Sequence, residues 1–144
     1  MVEQHAGVER LMSSPVESVL LGTTMADAAR VLSQKSIGSL VVGDERIEGI
    51  VTESDIVEAI GKSLEPETPV SELMSDPVVT IRPMESIQTA AERMGHNGVK
   101  KLPVVEDGAA IGIITTTDLA LHLPEYQVNM AHQSDADLVD GEWE

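Results

Sequence analysis

The chain has 144 residues, with 25 acidic and 9 basic side chains, a formal net charge of -16 and no cysteine. That balance argues against a nucleic-acid partner, because phosphate backbones demand a basic face, and the cysteine count excludes disulfides and thiolate metal sites. No apolar run reaches eighteen residues and no basic head precedes an apolar stretch at the N-terminus, so neither a membrane span nor a secretory leader is expected and the cytoplasm is the expected compartment.

One domain's worth of chain can bury a single core, and with aromatic residues at 1% that core must be built from Val, Ile, Leu, Met and Ala. The acidic composition resembles that of halophilic proteins from salt-accumulating cytoplasms. His5, His96, His122 and His132 are scattered, without the spacing a metal site needs.

In chain order, a short amphipathic stretch from Val8 ends in LMSSPV, and LMSDPV returns at an offset of 62 residues, from Leu11 to Leu73. An extended segment is expected after each Pro, over residues 16–21 and 78–81, since Pro can begin a strand but not continue one. Thr24 then precedes a helical pattern with Met25, Ala28, Ala29 and Leu32 on one face, and Ile87, Ala90, Ala91 and Met94 repeat it. The shared Ala-Ala pair predicts a face packed close against a sheet or helix. Two β runs around a tight turn follow in each copy, residues 39–42 and 47–51 around GDER, then residues 102–105 and 110–114 around EDGA. The closing helices carry Ile56, Val57 and Ile60 in one copy and Leu119, Ala120 and Leu123 in the other. Residues 63–69, with two Pro and two Glu, read as a linker. From Pro124 the pattern stops, and residues 125–144 read as a mobile acidic tail with Trp143 exposed.

Each copy, residues 8–62 and 70–124, is thus strand, helix, strand, strand, helix. Alone it cannot cover both faces of a three-stranded sheet. Two copies can cover each other, which predicts a mixed α/β (α+β) domain with pseudo-twofold symmetry and clefts where the halves meet.

The strongest repeated words are GIVTESDI from Gly49 and GIITTTDL from Gly112. Each places a Thr and an Asp three residues apart where a strand gives way to a helix. As capping boxes, Thr52 with Asp55 and Thr115 with Asp118 would satisfy orphan N–H groups of the first turn. The same terminus also suits an anion, and a carboxylate can accept from the two neighbouring hydroxyls of a ribose. The motif alone leaves both readings open.

The double LMSxPV, the Ala-Ala helices, the SLVV and LPVV strands and the two G-I-[VI]-T-x-[ST]-D segments together resemble a tandem pair of CBS domains, over residues 8–123. The resemblance implies two β-α-β-β-α repeats packed through their sheets, with clefts for adenosyl ligands such as AMP, ADP, ATP or S-adenosylmethionine. It implies ribose or phosphate contacts at Thr52, Asp55, Thr115 and Asp118. It further implies an adenine cleft lined by Val16, Ile37, Gly38 and Leu40 in the first copy and by Val78, Thr80, Val99 and Pro103 in the second. A homodimer and a role in energy sensing through an unknown effector protein are also implied; no cofactor is required.

The copies differ at the start of their second strands, where Lys100 and Lys101 stand against Gly38 and Ser39. The adjacent lysines are expected to read phosphate, so the cleft nearer them is expected to take the more anionic ligand. The leading expectation is a stand-alone regulatory module. The alternative is a ligand-free adaptor that keeps the same four residues as helix caps. An enzyme is not expected, since no nucleophile, base and orienting group come together, nor any phosphate-binding loop or metal spacing.

Overall fold

The structure, a computed structural model, describes residues 7–75 and 78–127. The first half contains β1 (Ser18–Val19), α1 (Met25–Lys35), β2 (Ser39–Gly43), β3 (Ile47–Thr52) and α2 (Glu53–Gly61); the second contains α3 (Ile87–Asn97), β4 (Lys101–Glu106), β5 (Ala109–Thr115) and α4 (Thr116–Gln127). Short 3-10 turns at Val8–Arg10 and Val70–Glu72 precede the two halves.

The helices begin and end where their local chemistry dictates. Thr24 caps α1 by accepting from Asp27 N–H at 3.1 Å, and Ser86 caps α3 by accepting from Thr89 N–H at 3.0 Å. Each stops on a left-handed residue, Ser36 in the first half and Gly98 at the same offset in the second. The β4–β5 hairpin turns through Asp107 and Gly108, both at positive φ as a tight primed turn requires.

Sheet topology is β1-β2-β3, with β1 parallel and β3 antiparallel to β2; β4 and β5 form an antiparallel pair. The first extended segment is shorter than its sequence predicts, because only Ser18 and Val19 pair while Leu20 and Leu21 stand exposed. Its counterpart at residues 78–81 forms no ladder strand, and a single parallel bridge joins Ile81 to Val104. The sheet alternation then fixes three apolar layers. Leu40, Val42 and Val51 point into a first core with Met25, Ala28 and Leu32 of α1. Leu102, Val104 and Ile114 point into a second with Ala90 and Met94 of α3. The opposite faces meet at the seam, where Val41 and Ile50 pack with Ile113.

Two expectations about helix faces need correction. Ala91 is exposed while Ala90 is buried, so one alanine of that pair makes the close approach. In α2 the inward residues are Ile56 and Ala59, whereas Val57 and Ile60 are 69% and 62% exposed. Helix α4 also continues past Pro124 to Gln127, beyond the end expected for the repeat. The tail proper, with Trp143, His132 and the last acidic residues, lies outside the described residues, as does His5.

The two leader segments are exchanged between the halves. Val8 is buried in the second core, its N–H donating to Glu85 O at 2.9 Å, and Ser13 pairs in both directions with Ile113. Val70 is buried in the first core, its N–H donating to Thr23 O at 2.8 Å, and Ser75 N–H donates to Ile50 O at 3.0 Å. The connecting residues are likewise fastened, since the carbonyls of Pro66 and Thr68 accept from Ala26 and Met25 N–H. Each core is thus closed in part by chain from the other half.

Candidate functional site

Both Thr-x-x-Asp segments form complete or matching cap pairs at the N-termini of α2 and α4. Thr52 N–H donates to Asp55 Oδ2 at 2.8 Å and Asp55 N–H to Thr52 Oγ1 at 3.2 Å. In the second half Thr115 N–H donates to Asp118 Oδ2 at 2.9 Å and Asp118 N–H to Thr115 Oγ1 at 3.1 Å. The reciprocal bonds satisfy two orphan donors per helix. The next donor in each first turn is used as well: Glu53 N–H donates to Gly38 O at 3.1 Å, and Thr116 N–H to Lys100 O at 3.0 Å. Each cap is thereby tied to the start of the neighbouring strand. Both aspartates are partly buried and, among the described residues, their Oδ1 atoms accept no hydrogen bond.

The lysine pair divides. Lys100 is exposed on its own half, while the partly buried Lys101 crosses the seam toward the first half. A Cβ placed on Gly38 would stand 3.6 Å from Lys101 Nζ and 3.5 Å from Glu53 Oε1. The sequence does not single out Glu53. Its position as the first residue of α2, against the start of β2, is the signal that could have found it.

The residues expected to line the adenine clefts fall into distinct environments. Val16 and Val78 sit at the seam between the sheets. Ile37 and Val99 are partly buried against the first and second cores, and Thr80 O accepts from Arg93 at 3.0 Å. Leu40 has its side chain wholly inside the first core, and Pro103 is likewise fully buried, its carbonyl accepting from Ile81 N–H at 3.0 Å. Neither of these two side chains is open to a cleft. A hollow of about 200 Å³ beside Asp55 is lined by Glu58, Lys62, Leu64, Glu72 and Leu73. Among the described residues no cluster suits a metal ion, and no helix is long and apolar enough to cross a membrane.

Two strand–helix junctions of the same construction, each with a Thr-Asp cap bound to the adjacent strand, agree with the CBS domain description, which matches residues 8–62 and 70–125. The chain belongs to the CBS domain family. The chain is 27% identical over 137 residues to the CBS domain-containing protein YhcV of Bacillus subtilis, covering 90% of this chain and 98% of that one. A homoserine O-acetyltransferase of Methanohalobium evestigatum is 34% identical over 125 residues; the match covers 85% of this chain and 25% of that enzyme. Among solved structures, the CBS domain pair of protein MJ0100, in complex with 5′-methylthioadenosine and S-adenosyl-L-methionine, superposes with a TM-score of 0.76 at 26% identity, covering 82% of this chain and 99% of that one. The CBS pair is the whole of the described fold here.

Proposed function

We propose that this chain is a regulatory module that binds adenosyl ligands in two clefts, one per CBS repeat, and passes the bound state to a partner protein. The observation that carries the reading is the Oδ1 of Asp55 and of Asp118, which accepts no hydrogen bond among the described residues, each on a carboxylate already fixed by its cap. A carboxylate held by one oxygen is oriented without conformational cost to accept ribose hydroxyls at the other. The adenosyl compounds bound by the MJ0100 pair support the same ligand class. Thr52 and Thr115 serve as the partners that hold each aspartate, and main chain at the start of β2 and β4 supplies the adenine contacts.

Hydrogen bonds to a charged group contribute about 1.5 to 3 kcal/mol, so Asp55→Ala or Asp118→Ala weakens its own site by about tenfold or more. Calorimetry of the wild type and both variants with AMP, ATP, S-adenosylmethionine and methylthioadenosine tests this. Unchanged affinity would remove the aspartates from ligand contact.

A second reading has an observation of its own. The caps are already satisfied by bonds within the chain, and α2 presents Val57 and Ile60 outward. A ligand-free adaptor that dimerises would show the same features. Absence of any thermal shift with the adenosyl panel, together with a dimer in sedimentation, would select it.

A further inference from the structure

We propose that the first cleft reads the 5′ substituent of its ligand through a charge pair drawn from both repeats, Lys101 and Glu53, and that this pair selects an adenosyl compound with a zwitterionic amino-acid tail over a nucleotide. The inference rests on the adenosyl reading above and names the ligand class of one of its two sites.

Glu53 opens α2, with its N–H bound to Gly38 O, and Asp55 lies two residues along the same turn. Lys101 opens β4 in the other repeat. The carboxylate oxygen and the amine lie within 3.6 Å of one point above Gly38, where the absence of a side chain leaves room. Among the described residues, neither forms an ion pair with any group. A substituent that leaves a ribose at Asp55 and runs past the helix terminus toward Gly38 therefore meets one positive and one negative charge.

The chemistry of that pair decides between ligands. An amino-acid tail carries an ammonium for Glu53 and a carboxylate for Lys101, so both charges are matched. A nucleotide phosphate gains from Lys101 but is brought against the Glu53 carboxylate, and like charges at such separations oppose binding. The second repeat has Thr116 where the first has Glu53, and Ser39 stands at the repeat position of Lys101. Its cleft has hydroxyls and the exposed Lys100, with no carboxylate at that position to repel phosphate. The two sites thus differ in kind.

The test uses the full chain with the second site silenced by Asp118→Ala, titrated calorimetrically with S-adenosylmethionine, methylthioadenosine and AMP. Methylthioadenosine shares the adenosyl group and lacks the amino-acid tail. In that background S-adenosylmethionine should bind about tenfold more tightly than either of the others, as expected for charge-assisted contacts to the tail. Glu53→Thr and Lys101→Ser install the residues of the other repeat, and each should bring S-adenosylmethionine down to the level of methylthioadenosine while leaving the latter unchanged. Equal binding of the two compounds in the silenced chain, or equal loss of both in the variants, overturns the charge-pair proposal and leaves the adenosyl reading standing. Absence of binding by every compound to the wild type overturns both.

Discussion

The thioether of Met74 fills the space that a side chain at Gly49 would need. A Cβ there would stand 2.5 Å from the Met74 sulfur and 2.9 Å from Ser75 O, and Met12 with Ser13 O closes over Gly112 in the same way. The two most repeated words of the sequence, LMS and GI[VI]T, are therefore halves of one contact, made twice and each time between different repeats. Gly49→Ala should cost about 1 to 3 kcal/mol, as overpacking does. The share owed to the Met74 side chain should vanish in a Met74→Ala background while the share owed to Ser75 O remains, and the interaction energy from the four urea denaturation curves measures the Met74 contact. Additive losses would mean that Met74 does not press on Gly49.

Among the described residues the pair of Arg93 with Glu85 has no counterpart in the first half, where Val31 and Thr23 stand at the matching positions. Arg93 donates to Glu85 at 2.9 and 3.1 Å and to Thr80 O at 3.0 Å, and Glu85 also accepts from Arg82 N–H. The Arg93 guanidinium is the main cause that holds the Glu85 carboxyl below its ordinary value of 4.5, with the Arg82 N–H next. A carboxylate whose folded pKa is depressed stabilises the fold above its unfolded value and loses that contribution as pH falls through the folded value. Glu85→Gln should thus lower stability by about 1 kcal/mol or less at neutral pH, given a partly exposed pair. The difference from wild type should shrink as pH falls below about 4.5. Urea midpoints at pH 7 and at successively more acid values check the sign; a gap that widens in acid would reverse it.

Local chemistry was legible in the sequence, and relations across the seam were not. The helical pattern after Thr24, both Thr-Asp pairs, the Asp-Gly hairpin and the duplication all follow from residue type and spacing. The exchange of leaders does not, because nothing in LMSSPV distinguishes its own glycine at position 49 from the one at position 112. Lys101 is similar: its neighbour Lys100 suggests a shared role, but successive residues of a strand point to opposite faces, and the seam gives each a different half.

Helix α2 illustrates where periodicity alone falls short. Ile56, Val57 and Ile60 cannot all face one core, and the small Ala59 takes the inward place because it allows the helix to approach the sheet. Ile56→Ala should therefore cost about 2 to 5 kcal/mol, the range for a buried large-to-small change. Ile60→Ser should fall within about 0.5 kcal/mol of wild type, as exposed substitutions do. Thermal denaturation of the two variants checks the assignment. Similar losses at both positions would place Ile60 inside an interface that the isolated chain does not show.

The capping and ligand roles of Asp118 can be separated by a single pair of substitutions. Asn keeps a side-chain oxygen able to accept from Thr115 N–H, whereas Ala removes it, so Asp118→Asn should hold stability while Asp118→Ala loses about 0.5 to 1.5 kcal/mol, the worth of an ordinary hydrogen bond. The amide cannot offer a second acceptor or a negative charge to the paired hydroxyls of a ribose. Both variants should therefore bind adenosyl compounds at the second site about tenfold or more weakly, in an Asp55→Ala background that isolates it. Melting curves and calorimetry on the same samples read the two roles side by side. If affinity instead follows stability, with Asn at the wild-type level in both, Asp118 is a helix cap and contributes nothing further to the cleft.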